Sequence, residues 1–103
     1  MNKSEKLNIK RFKAIGHKLH PLVTVGDKGL SNSVISEIMR ALNDHELIKI
    51  TVKHPDRDAK KELIQSVCTT CGAELIQSIG NTALLYKSNP EPNPKLSNIL
   101  RNL

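Results

Sequence analysis

The chain has 103 residues, room for one domain, and 16 Lys plus Arg against 10 Asp plus Glu leave a formal net charge of +6. Apolar residues make up 38% and recur in periodic runs, which favours a globular domain over disorder. No run approaches the roughly 18 apolar residues of a membrane span, MNKSEKLNIK lacks the apolar core of a secretory signal, and two Cys build no disulfide framework, so a reducing, cytoplasmic location is expected.

The excess charge is concentrated. Residues 1–30 carry seven basic residues and two acidic ones, a net +5, whereas residues 31–103 add only +1. A basic region this dense suggests a polyanionic partner, the plainer alternative being a solvated helix face.

Residues 4–15 are predicted as a helix, with Ser4 as its cap and Gly16 just past its end. Ile9, Phe12 and Ile15 fall on one side. Lys3, Lys6, Lys10 and Lys13 recur at spacings of three and four, so they form a stripe roughly opposite Phe12 and Ile15. A strand over 22–25 follows, entered through Pro21. Gly26-Asp27-Lys28-Gly29 makes a G-x-x-G turn. Ser31 caps a second helix over 31–44, with Val34, Ile35, Ile38, Met39, Ala41 and Leu42 inward and Glu37, Arg40 and Asp44 outward.

Residues 47–53 are rich in β-branched side chains and read as a strand. Asp56 caps a third helix over 57–71 that turns Ala59, Leu63, Val67 and Cys71 inward and stops at Gly72. Strands over 74–79 and 82–87 are joined by Gly80-Asn81, a tight-hairpin signal. The order α-β-α-β-α-β-β predicts a single compact α/β domain, a mixed four-stranded sheet packed with helices. The division expected is a domain over 1–88 and a Pro/Asn-rich spacer with a short amphipathic tail over 89–103. In that tail Leu96, Ile99, Leu100 and Leu103 share a helical spacing. They would dock on the domain or on a partner, but a frayed end is the favoured expectation.

The G-x-x-G turn stands between a strand and a helix N-terminus. Glycines let another chain approach closely, and free N–H groups with the helix dipole favour an anion there. Lys28 adds a positive charge. A loop of this form clamps nucleic-acid backbone in KH domains. Asp27 is an awkward neighbour for phosphate, and nothing in the sequence accounts for it. Twelve of the basic residues are Lys and four are Arg, which leans toward recognition of phosphates and shape over base edges. With only Phe12 and Tyr86 as aromatics, a base-stacking platform is not expected.

Cys68 and Cys71 form a C-x-x-C, but at a helix C-terminus, where the dipole opposes a thiolate. A zinc site would need two more ligands, and His17 and His20 lie on a distant turn. Buried small hydrophobes are the preferred reading. Asp56 and Asp58 near His54 are explained as a helix start. No phosphate-binding P-loop or catalytic cluster is found, so no enzyme, cofactor or metal is expected.

Three blocks then resemble the CRM domain family (chloroplast RNA splicing and ribosome maturation), in its bacterial stand-alone YhbY-like form. They are the run from Leu19 to Leu30 (LHPLVTVGDKGL), the run from His45 to Ile50 (HELIKI), and the run from Ile79 to Lys87 (IGNTALLYK). They arrive in family order and together span about 1–88. The resemblance implies an RNA-binding domain folded like the C-terminal domain of a bacterial translation initiation factor, associated with precursors of the large ribosomal subunit. It implies that Gly26, Asp27, Lys28 and Gly29, with Lys6, Lys10, Lys13 and Lys18 as basic surface, bind RNA. Lys49 is a further candidate whose alternative is a solvated strand residue. The rival reading is a DNA-binding architectural protein of similar small α/β fold.

Overall fold

The computed structural model describes residues 3–26 and 29–102, with side chains of the first helix from Asn8 onward. The elements are α1 (Lys3–Gly16), β1 (Pro21–Val25), α2 (Asn32–His45), β2 (Leu47–Val52), α3 (Arg57–Cys71), β3 (Glu74–Ile79) and β4 (Thr82–Tyr86). A single 3-10 turn, Leu100–Asn102, closes the described chain.

The sheet order is β1-β2-β4-β3. β1 and β2 are parallel, linked through α2, and β4 runs antiparallel between β2 and β3. All strands therefore share two ends. One holds Leu47, Tyr86 and Glu74, with Pro21 starting β1 two residues in, level with Lys49, and the other holds Val25, Val52, Thr82 and Ile79. These are called the near and far ends below.

Side-chain alternation splits the core in two. Val23 and Val25, Ile48, Ile50 and Val52, and Ala83 and Leu85 face α2 and α3, meeting Ile38, Leu42, Ile64, Val67, Cys68 and Cys71. Leu47 and Leu84 face the other way and receive Phe12 and Ile15 of α1, flanked by Leu19, Ile76, Tyr86 and Ile99. The result is one helix on one face and two on the other.

Local signals set most boundaries. Ser31 caps α2, its Oγ accepting the Val34 N–H at 3.2 Å. Asp56 caps α3, its Oδ1 accepting the Asp58 N–H at 3.1 Å. Gly72 ends α3 in the left-handed region at φ 66°, where a side chain is disfavoured.

Four expectations need correction. Gly16 is the last residue of α1, inside the helix. A Cβ there would lie 2.6 Å from Leu84 Cδ2, so its requirement is close helix–sheet packing. Met39 is exposed, lining a cleft with Lys87, Ser88 and Pro90 just past β4. On α3, Ile64 and Cys68 are buried, while Leu63 and Ala59 are only half-buried. Val67 and Cys71 are buried as expected, so the inward stripe of α3 is shifted toward Ile64 and Cys68 rather than replaced.

The fourth correction is the tail, which folds back onto the domain. Ser97 and Asn98 are buried. Ser97 Oγ donates to Glu46 Oε1 at 2.7 Å, and the Asn89 N–H donates to Glu46 Oε2 at 3.0 Å. Asn98 Nδ2 donates to the Leu47 carbonyl at 2.7 Å, and its N–H to the His45 carbonyl at 2.9 Å. Arg11 of α1 donates to the Ile99 carbonyl at 3.1 Å. Polar anchors hold the segment, with the apolar Ile99 packed beside Phe12.

Candidate nucleic-acid interface

The G-x-x-G turn leaves β1 at the far end. The Gly29 N–H donates to the Gly26 carbonyl at 3.0 Å, closing a tight turn, and Gly29 has φ 81°. Gly29 is thus required by its backbone. Gly26 is not: its φ is outside the left-handed region and, among the described residues, a Cβ there would meet no atom within 4 Å. A glycine that the fold does not need leaves room for a ligand to approach the backbone. Asp27 and Lys28, between them, lie outside the described residues.

Past the turn, α2 begins with no acidic residue in its first turn. The Ser31 hydroxyl takes the N–H of Val34, and helix geometry gives the N–H groups of Asn32 and Ser33 no acceptor inside the helix. The helix dipole adds partial positive charge at the same place.

Because β1 and β2 are parallel, the loop after β2 ends up beside the G-x-x-G turn. The Lys53 N–H donates to the Val25 carbonyl at 2.9 Å, and Lys53 is exposed. The Val52 N–H donates to Asn81 of the β3–β4 hairpin at 2.7 Å. Lys60 spans to that hairpin, its Nζ donating to the Gly80 carbonyl and to Asn81 Oδ1 at 3.0 and 3.1 Å. The far end therefore gathers three loops, at the carboxyl ends of parallel strands where α/β folds place ligands. Lys53 was missed by reading the sequence, since its neighbourhood arises only through strand pairing.

The described basic residues of α1 and the turn after it lie elsewhere. Phe12 stacks on Tyr86 with ring centroids 4.6 Å apart, and Gly16 lies over Leu84, two residues nearer the far end. α1 thus enters from the near end, where Arg11 meets the tail. Lys10 is exposed and Lys13 half-buried on this helix; the side chain of Lys6 lies outside the described residues. Lys18 is exposed in the turn before β1, also at the near end. The structure does not gather Lys10 and Lys18 around the loop. The five residues of β1, roughly 16 Å at the usual strand rise, carry the chain from the turn bearing Lys18 to the G-x-x-G turn.

Between the two ends lies a strip of sheet that α1 leaves open. Leu22, at 52% exposure, and Thr24 project from β1 away from the α2–α3 core, and Lys49 lies beside them on β2. Lys49 lines one cleft with His17, Gln77 and Thr82, and a second with Lys18, His20 and Arg101. It joins the two ends. Both aromatic rings pack on each other in the α1 core, with Phe12 buried and Tyr86 half-buried.

The other sequence motifs behave as structure. Burial raises the Cys68 thiol above its usual range, with Cys71 adding to the effect. Burial raises Cys71 as well, opposed by the Lys87 ammonium. Neither is an activated nucleophile. Cys68 and Cys71 belong to the α2–α3 core, whereas His17 lines a cleft on the opposite face of the sheet, so these residues do not converge on a metal. His54 Nδ1 accepts the Asp56 N–H at 3.0 Å, and Asp56 caps α3, which accounts for that group as a helix start.

Comparison with known proteins agrees with this architecture. The model of the CRS1/YhbY (CRM) domain matches residues 5–87. A Pseudomonas aeruginosa protein named a probable RNA-binding protein is 48% identical over 92 residues, covering 89% of this chain and 88% of its own. A Haemophilus influenzae protein named an RNA-binding protein is 39% identical over 80 residues, covering 78% of this chain and 81% of its own. The solution structure of a Staphylococcus aureus protein, described as a candidate RNA binding protein, superposes with a TM-score of 0.72 at 29% identity, over 81% of this chain and 86% of that one. By the reach of the domain match and the identity to these relatives, the chain belongs to the CRS1/YhbY (CRM) domain family.

Proposed function

We propose that this protein binds RNA without catalysing a reaction, and that it acts in ribosome assembly on precursors of the large subunit. The observation that carries the RNA reading is the far-end turn. Gly26 has no structural need to be glycine, and it leads into a helix N-terminus without acidic residues. Phosphate is the ligand suited to such a place. Gly26, Asp27 and Gly29 contribute backbone, and Lys28 contributes charge. Lys53 extends the grip at this end.

The basic residues of α1 and its following turn act at the near end. Lys6, Lys10, Lys13 and Lys18 meet a later part of the same RNA, and Lys49 contacts it in passing. Each neutralised phosphate releases counterions, so affinity falls steeply with salt. The assignment to large-subunit precursors rests on the family resemblance of the three sequence blocks.

Competition at matched salt tests the polymer. A structured fragment of large-subunit rRNA is expected to displace a labelled RNA hairpin at concentrations well below those of duplex DNA of equal length. Equal or better displacement by duplex DNA would overturn the RNA reading in favour of an architectural DNA-binding protein.

A further inference from the structure

We infer that the C-terminal segment supplies Arg101 to a second RNA-backbone site, a cleft at the near end of the sheet that it shares with Lys18, His20 and Lys49. This rests on the RNA-binding reading and extends it to residues beyond the 5–87 domain match.

The cleft is built from four separate parts of the chain. Lys18 and His20 come from the turn before β1, His45 from the end of α2, Lys49 from β2, and Asn98 and Arg101 from the tail. Among the described residues, no Asp or Glu lines it. Three fixed cations facing one cleft repel one another, and a phosphate chain is the complementary occupant. The Arg guanidinium adds a planar fork suited to phosphate oxygens.

The tail is placed firmly enough to take part. Asn98 lines the cleft and is also buried, bonded to the backbone at His45 and Leu47. One residue earlier, Ser97 is fully buried against Glu46. His45 Nδ1 lies 2.8 Å from the Leu96 carbonyl, which can only accept, so the ring donates there and is held against the tail. Arg101 follows in the closing 3-10 turn, its N–H donating to the Ser97 carbonyl at 3.0 Å, with its side chain exposed. An ordered backbone thus presents an exposed cation, which lowers the entropy lost on binding.

The cleft is also continuous with the open strip. Lys49 borders it and the neighbouring cleft beside His17, so one strand passing along β1 would meet Arg101, Lys18, Lys49 and then the far-end turn.

The test is the salt dependence of binding to a labelled RNA hairpin by the full chain, its Arg101→Gln, Arg101→Lys and Lys18→Gln variants, with thermal unfolding of each. Arg101→Gln and Lys18→Gln should each weaken binding several-fold and reduce the slope of log K against log salt by roughly 0.7–0.9, with unfolding unchanged. Arg101→Lys should keep the slope. An unchanged slope in Arg101→Gln, while the unaltered chain binds RNA with a steep salt dependence, would overturn this inference and leave the proposed function standing. Failure of the unaltered chain to bind any RNA would overturn the proposed function itself. Concentration-dependent dimerisation lost in Arg101→Gln would assign the cleft to a second copy and also overturn the inference.

Discussion

The two ends of the sheet solve the same electrostatic problem with different materials. The far end uses backbone: a glycine turn, the N-terminus of α2 and the loop after β2. The near end uses side chains on a braced frame, in which α1, α2, β2 and the tail are tied together through Glu46, Asn98 and Arg11. Apart from Gly29, whose positive φ the turn requires, the G-x-x-G turn can be altered with little effect on the fold. The near end mixes folding and binding, because the segment bearing Arg101 is held by buried hydrogen bonds.

The largest expected effect comes from cutting that brace. Glu46 is buried, has a positive φ of 62° and accepts from both Ser97 and Asn89. Glu46→Ala should cost about 2–3 kcal/mol in urea unfolding, since hydrogen bonds to a charged group are lost inside the protein. A loss under about 0.5 kcal/mol would mean the tail is not structurally coupled.

Gly16→Ala probes the seat of α1. Its Cβ would press on Leu84, and the overpacking should cost about 1–3 kcal/mol. The paired glycines of the turn separate folding from binding most cleanly. Gly29→Ala should cost about 1–2 kcal/mol, because an L-residue is strained at φ 81°. Gly26→Ala should leave stability within about 0.5 kcal/mol yet weaken RNA binding several-fold. Equal RNA affinity in Gly26→Ala and the unaltered chain would remove the far end from the interface.

The smallest effect is a pH dependence in the α2–α3 core, on the other face of the sheet from α1. Cys68 and Cys71 are raised in the folded chain, so folding holds their protons more tightly than the unfolded chain does. Their contribution is fully present below the unfolded thiol pKa, about 8.5, and is lost as pH rises through the raised folded values. Unfolding free energy should fall with pH above about 8.5, and the fall should flatten in the Cys68→Ala/Cys71→Ala double variant.

The fold was legible where signals are local. Ser31, Asp56 and Gly72 announce helix ends through chemistry confined to a few residues, and Gly80-Asn81 announces the hairpin. The docked tail was not legible, because Ser97 and Glu46 are 51 residues apart and neither is apolar. Burial of Ile64 in place of Leu63 depends on how α3 is rotated on the sheet, which periodicity leaves open by about one residue.

The site divides the same way. Gly26 to Gly29 could be picked out as a strand-to-helix turn. The lysines of α1 stand close to that turn in sequence, yet α1 packs on the opposite face from α2, and β1 carries the chain from one end of the sheet to the other. Lys53 and Arg101 reach their neighbours only through strand pairing and tail docking.

The central claim, that RNA is held by its phosphates from both ends of one sheet, is tested most directly by salt titration of the triple variant Lys10→Gln/Lys13→Gln/Lys28→Gln against the unaltered chain. The slope of log K against log salt for a structured RNA should fall by roughly 2–3, the sum of three phosphate contacts. An unchanged slope and affinity in the triple variant would contradict it.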